Sequence, residues 1–397
     1  MDAPARIDPA IMRQLNTGTC LRIIRDRQSL TLADLAKASG LSRRTVELIL
    51  DGLLASGYVV ETEPSTESRS VGRPARAYSF NPRTAFAMAI EIGEDTVAVS
   101  ISDLMGASVG SERASIHGDS KRRERIAAVR AAVTDLFDQL GIEAEEVWAV
   151  TVASMGVVRE SGMVDLRRKD GDLVIAGGDW SGFSLADELG DLFDCEVSVE
   201  NDAKLAAVGE AWQGAAQGVG NFVFVLSNGV RSGVGIVIDG QLYRGNDGQA
   251  GEVFWAESFF KVGRALRPNP LLQLGSPEPV ERGMAEAVLN RAREGEADAV
   301  QVVADLALDF TPALHAIACL LAPEMLVIGG TTSQAGDVLV PAIEAEFARL
   351  VSPGTQLRAS ELGDDAVIRG ALRLSLNRIE DQLFSGEERP ARRRVRA

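Results

Sequence analysis

The spacing of hydrophobic positions changes twice along the chain. Between Ala10 and Asp26, apolar side chains fall at Ile11, Leu15, Leu21, Ile23 and Ile24, a helical spacing. "LADLAKAS" repeats it with Leu32, Leu35 and Ala36 on one face, Thr31 at the N-cap position and Gly40 as the stop. Ser42 is placed to cap a third helix, "RRTVELILDGLLASG", whose core positions are Val46, Ile49, Leu50, Leu53 and Leu54 and which ends at Gly57. Two strands are predicted next, Tyr58–Glu61 and Ala77–Phe80, on either side of a polar loop. A pair of helices joined by a short glycine-containing turn, followed by a two-stranded wing, predicts a winged helix-turn-helix over residues 1–83.

From Ala85 the spacing becomes that of strands. "AFAMAIEIGEDTVAVSISDLMGASVGSERAS" reads as three consecutive strands, and "NFVFVLSNGVRSGVGIVIDGQLYRG" repeats the plan more than a hundred residues later. Helical segments are predicted at Lys121–Leu140, Ala203–Gln217 and Thr311–Leu321, with a strand at Met325–Gly330. The repetition predicts a duplicated, two-lobed α/β body with a cleft between lobes. The first lobe is placed at 84–200, with a C-terminal helix at 366–380 returning to it, and the second at 201–380. The basic tail 381–397 has no apolar periodicity and is expected to be disordered.

Composition adds a division of labour. The chain has 397 residues, 46% hydrophobic and 25% charged, the values of a soluble globular protein. No apolar run approaches the ~20 residues of a membrane span, and "MDAPARIDPA" lacks the layout of a secretory signal. A cytoplasmic location without a membrane partner is the expectation. Net charge is −16, yet residues 1–83 hold 12 Lys and Arg against 9 Asp and Glu, while the other 314 hold 29 against 48. An acidic body repels nucleic acid and the N-terminal unit does not. Cys20, Cys195 and Cys319 are isolated, so buried free thiols are expected rather than a metal site or disulfide.

The candidate chemistry falls in two places. After Ser42, the start of the third helix carries Arg43, Arg44 and Thr45, where a recognition helix meets base edges and phosphates. The wing carries Arg69, Arg73 and Arg76 around a stiff Gly72-Arg73-Pro74 run suited to a minor groove, opposed by Glu61, Glu63 and Glu67. In the body, "VSVENDAKLAAVGEAWQGA" delivers Asn201 and Asp202 to the start of a helix. There they either meet ligand hydroxyls, with the carboxylate as a possible general base, or cap the helix. "LSNGVRSGVG" has the outline of a phosphate cradle, but Val230 offers no hydroxyl and Arg231 fills the turn.

The order of winged helix, "GRPA", duplicated lobes, "ENDA", "GQAGE", "PEMLVIGG" and "LGDDAVIRGA" resembles the ROK family of repressors and sugar kinases, over about Met12 to Leu374. It is most similar to the ROK transcriptional regulators, which carry the winged helix. The resemblance implies an actin-like, sugar-kinase type of ATPase fold assembled as homodimers or homotetramers. It also implies that Asn201, Asp202 and Glu252 bind sugar hydroxyls. Trp255 stands at the family's His ligand position, where it stacks on a sugar ring or fills the pocket.

Other family motifs are altered. The Asp-x-Gly-Gly-Thr run reads Glu91-Ile92-Gly93-Glu94-Asp95-Thr96, and Gly-Thr-Gly-Ile-Gly-x-Gly reads Gly229-Val230-Arg231-Ser232-Gly233-Val234-Gly235. The zinc cysteines are absent, and in the sugar loop Asp179 and Trp180 remain without the Asn. No catalytic residue, metal or cofactor is therefore assigned. The expected function is a repressor that binds a double-stranded operator under control of a sugar or sugar derivative. A sugar kinase with an appended DNA-binding domain and a ligand-independent repressor are the alternatives.

Overall fold

The computed structural model describes residues 8–63, 76–118, 120–166, 180–228, 231–253, 269–274, 276, 278–349 and 354–385. The first helix, α1 (Pro9–Arg27), is followed by a two-residue strand β1 (Leu30–Thr31) and by α2 (Leu32–Ser39). Thr31 Oγ1 accepts from Asp34 N at 3.2 Å while the Asp34 carboxylate accepts from Thr31 N at 3.3 Å, a reciprocal cap that starts α2. Gly40, at φ 71°, ends it. The Ser42 hydroxyl accepts from Thr45 N at 3.1 Å and starts α3 (Arg43–Ala55).

β2 (Val59–Thr62) and β3 (Ala77–Phe80) pair antiparallel, and β1 adds on the other side of β3 in the order β1-β3-β2. Cys20, Leu21, Ile24, Leu35, Val46, Ile49, Leu50 and Leu53 form the core of this unit, with Leu54 half-buried beside them. The wing tip, with Arg69 and Arg73, lies outside the described residues.

In the body, β4 (Phe86–Ile92), β5 (Thr96–Asp103), β6 (Ser108–Ser115), β7 (Val147–Ser154) and a later strand form one five-stranded sheet. α4 (Arg122–Leu140) covers its outer face. A small antiparallel sheet follows, made of β8 (Val157–Val158), β9 (Met163–Asp165) and β10 (Phe183–Ser184), then the short α5 (Leu185–Leu189). The fifth strand of the large sheet, β11 (Val197–Asn201), runs straight into α6 (Asp202–Gln213).

The second sheet contains β12 (Phe222–Asn228), β13 (Arg231–Ile238) and β14 (Gln241–Tyr243). Two helices come next, α7 (Pro279–Arg293) and α8 (Ala297–Leu321). β15 (Met325–Gly329), α9 (Gly336–Phe347), β16 (Gln356–Ala359) and α10 (Ala366–Ser385) are the last of the described elements. The two large sheets have the same plan. β6-β5-β4-β7-β11 and β14-β13-β12-β15-β16 each join an antiparallel triplet to two parallel strands.

α6 and α10 lie between the sheets. Ala89, Ala98 and Ala153 of the first sheet and Phe222, Phe224 and Val327 of the second share one core with Ala203, Leu205, Ala206, Ala207, Val367, Ala371 and Leu372. The alanines leave room for a helix to lie close to the first sheet, and Ser375 Oγ donates to Met88 O at 2.9 Å there. α8 is long and apolar enough to cross a membrane by length and composition. In this fold it is a core helix, burying Val303, Leu306, Phe310, Leu314 and Ile317 against the second sheet.

Some sequence expectations change in this light. α8 begins well before Thr311, α6 ends at Gln213, and α10 runs on to Ser385, so residues 381–385 of the tail expected to be disordered are helical. Of the cysteines only Cys20 is buried; Cys195 is partly exposed and Cys319 exposed. Trp180, in the segment matching the family's sugar loop, is buried in the first lobe. Its Nε1 donates to Ser154 Oγ at 3.2 Å and its ring meets Phe183 edge-on, centroids 5.0 Å apart.

Candidate functional site

Two surfaces carry the candidate residues. The first is the open face of α3, where Ser42, Arg43 and Arg44 are exposed. Neither arginine pairs with a carboxylate among the described residues, so both guanidinium forks are available to phosphates or guanine edges. Thr45 departs from expectation. It is half-buried, and its hydroxyl lies 2.8 Å from Ser42 Oγ, so it belongs to the cap that starts the helix. Arg76 is exposed at the base of the wing, with Nη1 2.8 Å from Glu61 Oε1. A surface pair of this kind contributes about 0–1 kcal/mol and exchanges readily for phosphate.

Leu48 was not singled out from the sequence. It is 54% exposed, one turn after Arg44 and beside exposed Glu47 and Asp51. The signal was present, since Leu48 falls off the buried stripe of Val46, Ile49, Leu50 and Leu53.

The second surface lies between the lobes, at the junction of β11 and α6. Asn201 caps α6, with Oδ1 accepting from Lys204 N at 3.1 Å. Its amide donates to Gly156 O and to Asp202 Oδ1, each at 3.0 Å. Asp202 Oδ1 also accepts from Ala203 N at 2.8 Å. The capping role therefore uses both ends of the Asn201 side chain and one oxygen of Asp202.

Glu252 reaches this junction through the "GQAGE" run. Gly248 (φ 73°) and Gly251 (φ 84°) adopt left-handed conformations, and a Cβ on either would collide with Val158 O or Val234 O respectively. Only glycine allows that close an approach of backbone to backbone. The result places Glu252 Oε1 3.4 Å from Lys204 Nζ, which also donates to Gly248 O at 2.7 Å. Burial raises the Glu252 carboxyl above its ordinary value, and Lys204 opposes that shift. Lys204, 1% exposed, is the residue the sequence reading passed over. A lysine among Ala203, Leu205, Ala206 and Ala207, all buried, has to find an anionic partner.

Charged pairs extend the junction. Glu200 Oε2 accepts from Arg244 Nε at 2.6 Å, and Arg159 bridges Asp165 of β9 and Asp247 of the glycine run. Trp255 lies outside the described residues, as do Asp179, Gly229 and Val230. For Arg231 only the backbone is described, at the start of β13 opposite Asn228. Among the described residues no group of three His, Cys, Asp or Glu side chains is arranged to hold a metal.

Glu91, the altered residue of the first family motif, is on the inner face of the first sheet. Cross-strand pairing sets Arg113, Ala98, Glu91, Ala153 and Glu200 in one row. Glu91 Oε2 is buried without a hydrogen-bond partner among the described residues. Burial is the main cause that lifts its carboxyl to about 7; Arg113 opposes the rise, and Asp202, Asp364 and Asp365 add to it. Glu94 and Asp95 in the following turn add two more carboxylates at this end of the cleft.

A carboxyl held at about 7 favours folding fully below its unfolded value, near 4.5, and loses that contribution as pH rises through 7. We expect E91Q to match the parent in stability near pH 4.5 and to exceed it by about 3 kcal/mol at pH 8. Chemical denaturation of both proteins at several pH values reads the difference. Parallel stability curves would contradict it.

Known proteins resemble the chain in two ways. Over its whole length it is similar to the xylose repressor of Caldicellulosiruptor bescii, 24% identical across 92% of this chain and 96% of that protein. The structure of a ROK family transcriptional regulator, a homolog of the E. coli MLC protein, superposes with a TM-score of 0.65 at 22% identity, covering 95% of this chain and 98% of that one. A glucokinase of Halalkalibacterium halodurans is 31% identical but aligns with 48% of this chain and 67% of its own length. The ROK family pattern matches residues 87–254 and 271–378, the two-lobed body built around α6 and α10. With well over half of its residues inside that pattern, this chain belongs to the ROK family.

Proposed function

We propose that the chain is a DNA-binding transcriptional repressor whose two-lobed body takes up a sugar or sugar-like molecule. The observation that carries this reading is the end-to-end similarity to a xylose repressor, which takes in the N-terminal unit as well as the body. Arg43 and Arg44 on the open face of α3 are assigned to the operator. Leu48 between them and the next turn has the apolar character that meets a thymine methyl in the major groove. Arg73 and Arg76 are assigned to the wing's contact with DNA.

A homodimer or homotetramer fits this role, because paired recognition helices read half-sites about 34–36 Å apart. A cytoplasmic location follows from it. The ligand is assigned to Asn201, Asp202, Glu252 and Trp255. Polyol hydroxyls donate to carboxylates such as those of Asp202 and Glu252.

The kinase reading draws on the similarity of the body to glucokinases and on Asp202, a possible base. Against it stands the acid row of Glu91, Glu94 and Asp95 where nucleotide phosphates would approach. The full-length protein, mixed with ATP and D-xylose or D-glucose in a coupled ADP-release assay, is expected to show no sugar-dependent turnover. Turnover that disappears in Asp202→Asn would overturn the assignment.

A further inference from the structure

α6 begins at the candidate ligand junction and α10 ends in the DNA-binding unit, and nothing compressible separates the two helices. A Cβ on Gly370 would collide with Leu205 O, and one on Gly209 with Ala366 O. The helices thus meet backbone to backbone. A second tie joins them: the buried Glu210 carboxylate of α6 accepts from Leu362 N at 3.2 Å and from Ser360 Oγ, in the segment that leads into α10. A layer of side chains absorbs small displacements by rotamer change; a contact between backbones cannot.

The far end of α10 is gripped by α1. Gly18 lies directly against the Phe384 carbonyl, where a Cβ would collide. The guanidinium groups of Arg22 and Arg25 sit over the Phe384 ring, 4.9 and 4.6 Å from its centroid. Arg25 Nη1 is 3.3 Å from Glu380 Oε1, and Arg373 holds the same carboxylate at 3.2 Å. α1 in turn packs Leu21 and Ile24 into the core that carries α3. The chain of contacts is unbroken from Asn201 and Asp202, through α6 and α10, to the recognition helix.

We propose that α6 and α10 are the transmission element of the repressor, and that the clamp of Arg22 and Arg25 on Phe384 and Glu380 couples the ligand junction to the DNA-binding unit. This rests on the repressor reading above. A second contact between the units, Tyr58 edge-on to Trp148 with centroids 6.0 Å apart, fastens the DNA-binding unit to the first sheet and is not part of the route.

Linkage is reciprocal, so DNA bound at one end alters the other. The probe is a duplex selected from a random library by the full-length protein, and the readout is hydrogen–deuterium exchange at saturating duplex. Amides of the first turn of α6 (203–206) and of the end of α10 (379–384) should slow by about fivefold or more, the low end of ordinary coupling between sites. In the R22A/R25A double variant, which removes the clamp from the surface and leaves the core intact, the response should persist near Phe384 at most and vanish at α6. W148A should keep it.

Duplex binding without a change at α6 in the parent protein would overturn the route. So would an undiminished response in R22A/R25A, or a response lost only in W148A. A protein that selects no duplex would contradict the repressor reading itself, and the route with it.

Discussion

A protein carrying alanine at both Arg43 and Arg44 is expected to bind its selected duplex at least about a hundredfold more weakly than the parent, a loss of about 3 kcal/mol or more. The two side chains stand at the start of α3, exposed and without carboxylate partners among the described residues. Removing them costs the fold little, because Ser42 still caps the helix through Thr45 N and the core side of α3 is untouched. The salt dependence separates two roles. An arginine on phosphate lowers the slope of log affinity against log salt by about 0.9 when removed, whereas one on a guanine edge changes which sequences bind. Anisotropy titrations at several salt concentrations measure both. Unchanged affinity at fixed salt, with an unchanged melting temperature, would remove α3 from the interface.

Replacing Lys204 by methionine is expected to destabilise the protein by about 3–5 kcal/mol at pH 8, the range for breaking a buried ion pair. Methionine fills the same space but leaves the Gly248 carbonyl without its donor and the largely buried Glu252 carboxylate without its cation. Burial already raises the Glu252 carboxyl, and Lys204 is what opposes it. Without Lys204 the carboxyl rises further. A raised carboxyl favours folding below its unfolded value and loses that contribution as pH increases, so the K204M defect should be smaller at pH 5 than at pH 8. The K204M/E252Q double variant should recover part of the loss at pH 8, since neither buried partner then carries an unpaired charge. Denaturant titrations of these three proteins and of E252Q complete the cycle. A K204M protein as stable as the parent at pH 8 would mean that the pair is not formed.

What could be read from the sequence and what could not divides along local and distant interactions. The starts and stops of α2 and α3 were legible because Thr31, Gly40 and Ser42 act on backbone groups within a few residues. β1 was not, since two residues become a strand only by pairing with Tyr78 and Ala77, far along the chain. The first half of α8 was missed because Pro312 reads as a helix boundary, yet the helix runs through it, held by a core that surrounds Phe310 and Leu314. The duplicated sheets were visible in the two strand triplets. The close contact of α6 with α10 was not, because Gly209 and Gly370 are 161 positions apart and neither marks a turn.

At the junction of β11 and α6, Asn201 and Asp202 were found by their place between strand and helix, which left ligand binding and capping open. The geometry shows the capping bonds directly. Glu252 was reached through the resemblance to the ROK family, and its dependence on Lys204 follows only from the path of the glycine run.

We propose that a small sugar controls DNA binding through the body. The most direct test is the affinity of the full-length protein for its selected duplex, followed by fluorescence anisotropy during titration with free pentoses, hexoses and amino sugars. At least one sugar is expected to weaken binding by about fivefold or more, and Asp202→Asn to keep the duplex affinity but lose the response. A duplex affinity that none of these sugars moves would contradict it.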